Sequence, residues 1–94
     1  MVTVRMQHSV RDFAAWKALF DEDPLDRKAG GVTAYRVFRP ADEPGLVMID
    51  LDFGSRAEAD AFLERLRELW RGPAAATIQD LQAGVLELVE SAAL

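Results

Sequence analysis

His8-Ser9-Val10-Arg11-Asp12-Phe13-Ala14-Ala15-Trp16 decides the fold, because the apolar period changes inside it. Upstream, Val2, Val4 and Met6 alternate with Thr3, Arg5 and Gln7, a period of two that predicts a strand. Downstream, Phe13, Trp16, Leu19 and Phe20 recur at helical spacing and form one apolar stripe. Asp12 stands at the junction, where its carboxylate can accept backbone N–H bonds and cap the helix.

The same alternation of signals continues along the chain. Asp23-Pro24 reads as a cap and first-turn proline of a further short helical piece, which Gly30-Gly31 ends. Val32 to Arg39 and Leu46 to Phe53 read as strands joined by the turn Pro40-Ala41-Asp42-Glu43-Pro44-Gly45, hence an antiparallel hairpin. Gly54 breaks the second of them. Ser55-Arg56-Ala57-Glu58 then matches a capping box, in which hydroxyl and carboxylate satisfy opposite backbone donors. Phe62, Leu66, Leu69 and Trp70, with Ala59 and Leu63 beside them, line one face of the second helix, which Gly72-Pro73 ends. Ala74 to Gln82 reads as a loop or a short third helix, and Val85 to Glu90 as the last strand, although Leu and Glu there would also suit a helix. The order strand, helix, strand, strand, helix, strand makes an α+β domain over residues 1–94, with helices on one face of the sheet.

Hairpin parity sorts the two faces. Tyr35 and Val37 share a face with Val47, Ile49, Leu51 and Phe53, and this apolar face lies under the helices. Val2, Val4 and Met6 join it from the first strand. Ala34, Arg36 and Phe38 share the other face with Leu46, Met48, Asp50 and Asp52, joined by Thr3, Arg5 and Gln7. A solvated face carries few large apolar groups, so Phe38, Leu46 and Met48 predict a cover. Burying roughly 400 Å² of apolar surface is worth about 10 kcal/mol before association costs, so a two-fold homodimer is the expected solution.

Composition narrows the partners. The 94 residues carry a net charge of −5, which argues against nucleic acid and anionic membrane. There is no cysteine, so thiolate nucleophiles and disulfides are excluded, and a reducing cytoplasm is the expected compartment. Residues 1–10 alternate and contain Arg5 and His8, unlike a signal core or a membrane span.

With these residues in place, the chain resembles the dimeric α+β barrel superfamily. That ferredoxin-like group includes antibiotic-biosynthesis monooxygenase-type domains and small stress-responsive barrel proteins. The resembling features are His8-x-Val10-x-Asp12-Phe13-x-x-Trp16-Lys17, Phe20-Asp21, Gly31-Val32 with Tyr35-Arg36-Val37, and the Asp42-Glu43-Pro44 turn. Leu46 to Phe53 and the helix entry from Ser55 to Phe62 complete them, so the resemblance runs from about residue 2 to residue 71. It implies a βαββαβ fold with a four-stranded antiparallel sheet, and a homodimer whose two sheets close into a barrel. It also implies a cavity between sheet and helices or at the barrel mouth. Members include cofactor-independent oxygenases, haem-degrading enzymes, isomerase- or cyclase-like enzymes and proteins of no demonstrated chemistry. The haem-degrading subgroup uses an Asn, a Trp and a His; this chain has no Asn.

The expected function is binding of a small hydrophobic or aromatic ligand, with monooxygenase-like chemistry that needs no cofactor. The alternative is a non-catalytic homodimeric binding or stress-related module. His8 is the one side chain expected to titrate near neutrality, so it is a candidate general base, or else a local strut at the junction. Asp50 is a candidate acid/base beside Asp52, or else an ion-pair partner of Arg36, which opposes it in the even register, or of Arg5. Trp16, Phe20, Tyr35, Arg36 and Met48 are the expected pocket residues. No glycine-rich phosphate loop, nucleophile elbow, metal spacing, flavin motif or haem motif is present, so no cofactor or metal is expected.

Overall fold

A computed structural model describes residues 1–72 and 78–94 of the chain. Each period of the sequence becomes the matching element: β1 (Val2–Val10), α1 (Phe13–Asp21), β2 (Val32–Phe38), β3 (Leu46–Phe53), α2 (Arg56–Arg71) and β4 (Ile78–Glu87). The strands form one antiparallel sheet in the order β2-β3-β1-β4, the ferredoxin-like βαββαβ arrangement.

Both helix entries are capped. Asp12 accepts from the Ala15 N–H at 3.2 Å, and the Ser55 hydroxyl accepts from the Glu58 N–H at 3.2 Å. The Glu58 carboxylate meets the Ser55 hydroxyl at 3.0 Å, rather than reaching back to that residue's backbone as a full capping box would.

Register places the faces as parity demands. On the helix side lie the rows Val37–Ile49–Met6–Ala83 and Tyr35–Leu51–Val4–Val85. Val4, Met6, Val47, Ile49, Leu51 and Phe53 form the core with Trp16 of α1 and Ala59, Phe62 and Leu63 of α2. The opposite face presents the rows Phe38–Met48–Gln7–Gln82, Arg36–Asp50–Arg5–Gly84 and Ala34–Asp52–Thr3–Leu86.

Two segments depart from the sequence reading. Between α1 and β2 no short helix follows Asp23-Pro24; the chain makes successive turns. Asp23 (φ 54°) and Asp26 (φ 52°) sit in the left-handed region, which no right-handed helix allows. Their carboxylates accept from the N–H groups of Arg27 and Ala29, an alternative to helical bonding. Gly31 (φ 99°) closes the segment as glycine should, and a Cβ there would run into the Glu58 carboxylate.

The second departure is the last strand. It spans Ile78–Glu87 rather than Val85 to Glu90, so residues 78–82 are strand and not loop or helix. Residues 74–77 of that expected loop or helix lie outside the described residues. β4 borrows its limits from its partner, because Ile78 pairs with Val10 and Glu87 with Val2, the two ends of β1. A last bond runs from the Leu88 N–H to the Met1 carbonyl (3.2 Å), just past the end of the strand, and Val89 and Glu90 lie beyond it. No helix among the described residues is long and apolar enough to cross a membrane.

Candidate functional site

The alternation of β1 carries past Met6 to His8, so the imidazole points to the helix side, opposite Val47 on β3. It is 2% exposed. Across it the ladder with β4 slips: Gln7 faces Gln82 but Ser9 faces Gln79, with Asp80 at φ 53°. β4 thus carries an extra residue at the level of His8, a bulge of the kind that re-aims side chains beside functional sites.

From His8 an aromatic wall runs along α1. The His8 and Trp16 ring centroids are 5.7 Å apart, Trp16 stacks on Phe20 at 5.2 Å, and Phe20 and Tyr35 meet in a T-shaped arrangement with centroids 5.2 Å apart. Helical spacing makes this wall, since positions 16 and 20 are one turn apart.

Against the wall lies an open-mouthed cavity of about 70 Å³, several times the space one water needs. Met6, Ile49 and Leu51 form its floor, Leu66, Leu69 and Trp70 of α2 its far side, and Pro24, Leu25 and Arg27 its lip. Arg65 holds that lip to α2 through a 2.6 Å bond to the Leu25 carbonyl.

His8 is the titratable group of the floor. Its Nδ1 lies 3.4 Å from the Ser9 carbonyl, too long for more than a weak bond. Among the described residues no carboxylate meets the ring. Burial therefore dominates and pushes its pKa below the ordinary value, outweighing the backbone contact. The imidazole is neutral at pH 7, with one nitrogen able to accept a proton.

This has a consequence for stability. Well above about pH 6.5 His8 is neutral in both folded and unfolded chains and contributes no pH dependence. Below that value the unfolded chain takes up a proton that the folded one resists, so stability falls as pH falls. The loss due to His8 is up to about 1.4 kcal/mol at pH 5.5. Urea midpoints measured at pH 7.5 and 5.5 should fall less in His8→Gln than in the wild type. Parallel falls in the two proteins would contradict a buried neutral imidazole.

The sequence candidates divide between the two faces. His8, Trp16 and Phe20 line the cavity. Tyr35 lies on the helix side but half-exposed on edge strand β2; it lines a neighbouring groove with Asp23, Arg27, Lys28 and Glu58. Arg36, Met48 and Asp50 belong to the opposite face and do not reach the cavity.

On that opposite face Arg36 does stand across from Asp50, yet it binds Asp52 in a two-pronged pair, both contacts 2.9 Å. Asp50 is taken by Arg5 at 2.8 and 2.9 Å, while its distance to Arg36 is 3.7 Å. Thr3 adds a 2.9 Å bond to Asp52. Arginine reaches the diagonal neighbour as well as the direct one, so one guanidinium serves each carboxylate. Hydrogen bonds from Arg5 hold the Asp50 carboxyl below the ordinary range, and those from Arg36 do the same for Asp52. Both are satisfied anions although only 4% and 5% exposed. Among the described residues no three His, Cys, Asp or Glu side chains gather as metal ligands would.

Sequence reading missed the lip. Arg27 and Leu25 carry no periodic signal, because turns, not an amphipathic element, bring them to the cavity. Leu66, Leu69 and Trp70 were legible as a stripe, but their spacing cannot tell core from cavity wall.

Compared with protein-family models and with curated proteins, the sequence matches none. Its fold does match solved structures. Rv0793 from Mycobacterium tuberculosis superposes with a TM-score of 0.73 at 22% identity, covering 98% of each chain. SnoaB from Streptomyces nogalater, described as a cofactor-independent oxygenase and solved as a mutant, gives 0.73 at 13% identity, covering 96% of this chain and 94% of its own. A dimeric ferredoxin-like protein from an uncultured marine organism gives 0.65 at 11% identity, covering 97% of each. At these identities the likeness is one of fold.

Proposed function

We propose that this chain is a small-molecule-binding homodimer whose cavity takes a flat, apolar or aromatic ligand. On this reading neutral His8 accepts a proton from a ligand hydroxyl, the opening step of oxygenase chemistry without a cofactor. The observation that carries it is the placement of His8: a buried, uncharged imidazole at the floor of an open-mouthed cavity whose lining is apolar except for Arg27 at its lip. The name of the structural neighbour SnoaB supports the reaction class.

Dimer formation rests on the helix-free face. Phe38 is 49% and Leu86 41% exposed there, with Leu46 and Met48 half-buried beside them. Gly84, opposite Arg5, leaves a hollow in the same face for a partner side chain. A second copy covers these groups by closing sheet on sheet, as the description of the marine neighbour as dimeric suggests. The cysteine-free composition fits residence in the cytoplasm.

One observation favours the non-catalytic module: among the described residues no carboxylate orients His8 as a base-and-orienter pair would. A thermal-shift screen of quinols, naphthols and aromatic polyketides separates the readings. A ligand at a hundred times its Kd adds about 2.7 kcal/mol, raising Tm by at least about 10 °C. Oxygen uptake with such a ligand should then fall at least about 100-fold in His8→Ala while binding survives. Binding without oxygen uptake would establish the module instead. No shift with any aromatic would remove the cavity as a ligand site.

A further inference from the structure

We infer that Arg27 is the specificity-determining residue of the cavity and selects flat aromatic ligands that carry a carboxylate at the end remote from His8. The inference rests on the cavity being the ligand site.

Arg27 is the one charged side chain among the described residues of the lining. Its guanidinium carbon lies 4.0 Å from the Phe20 ring centroid and 4.9 Å from that of Tyr35. Two rings thus contact the guanidinium and restrict it. Because Phe20 stacks on Trp16 and Trp16 meets His8, Arg27 and His8 mark the two ends of one aromatic wall. A flat ligand lying along that wall presents one end to each.

The guanidinium has donors to spare. Nη1 donates to the Phe20 carbonyl at 2.8 Å. Nε lies 3.4 Å from Asp23 Oδ1, long for a hydrogen bond, and that oxygen already accepts from the Arg27 backbone N–H at 2.9 Å. Among the described residues no acceptor meets Nη2. Arg27 also lines the open groove beside the cavity, so an anionic group held there keeps part of its hydration. Asp23 and Glu58 face the same groove and Lys28 opposes them. Selection therefore comes from a short charge-assisted bond rather than from the surrounding field.

A staple for the turn would use the same Nη1 bond, and the test must separate the two roles. Calorimetric titration of the full chain with naphthalene-2-carboxylate and with its neutral isostere naphthalene-2-carboxamide does so. The wild type should prefer the carboxylate by about tenfold or more. Arg27→Met should bring the ratio close to one, and Arg27→Lys should keep part of the preference. A staple alone would weaken both ligands equally in Arg27→Met and leave the ratio unchanged, which would overturn the inference. So would equal binding of the two by the wild type. Should Arg27→Met fail to fold, the ratio in Arg27→Lys decides: loss of the flat fork must lower it from the wild-type value, and an unchanged ratio counts against the assignment. Failure of the wild type to bind either compound would overturn the cavity reading itself.

Discussion

Met48→Glu is expected to leave the chain folded and to turn the proposed dimer into a monomer at micromolar concentration. Met48 stands in the row Phe38–Met48–Gln7–Gln82 on the helix-free face, half-buried within one copy. In a single chain a glutamate there still reaches water, so far-UV circular dichroism should not change. Between two sheets it becomes an extra buried charge, next on its own face to Asp50, and the nearby guanidinium groups of Arg5 and Arg36 are already engaged by Asp50 and Asp52. Two-fold symmetry doubles the cost, which weakens association by at least roughly a thousandfold. Light scattering reads the result directly. A variant that stays dimeric, or a wild type that is monomeric, would remove the assembly.

Trp16→Ala should cost about 3–5 kcal/mol, a large share of the roughly 5–14 kcal/mol that holds a domain of this length. The indole is buried, stacked on Phe20 at 5.2 Å and within 5.7 Å of both Phe13 and His8. Its removal empties the middle of the aromatic wall, and no neighbour on a regular helix can collapse into the gap. Tm should fall by at least about 12 °C, with aromatic ligands losing their stacking surface. Trp16→Phe keeps a ring there and should lose less than half as much. A fall equivalent to under 1 kcal/mol in Trp16→Ala would show that the wall is not part of the core.

His8 shows how far a linear pattern reaches. Extending the alternation of Val2, Val4 and Met6 by one step puts it on the helix side, where it is found. Asp50 follows the same rule to the opposite side. The two candidate proton-moving residues are therefore separated by the thickness of the sheet, a consequence of parity alone. The ion pairs were less legible. Register put Arg36 across from Asp50, but the bidentate partner is Asp52, because guanidinium reach and the competing claim of Arg5 are matters of side-chain geometry.

Periodicity and local capping signals determined five of the six elements, the sharing of residues between two faces, and the caps at Asp12 and Ser55, while for β4 they gave only a last strand near Val85. These follow from interactions over a few residues, which a sequence states openly. Tertiary structure alone decided the run of turns after Asp21, the length of β4 against β1, and the arrival of Arg27 at the end of the aromatic wall. Each depends on partners distant in the chain: a strand lasts as long as its neighbour can bond it, and a turn residue finds a cavity only where two helices and a sheet leave one.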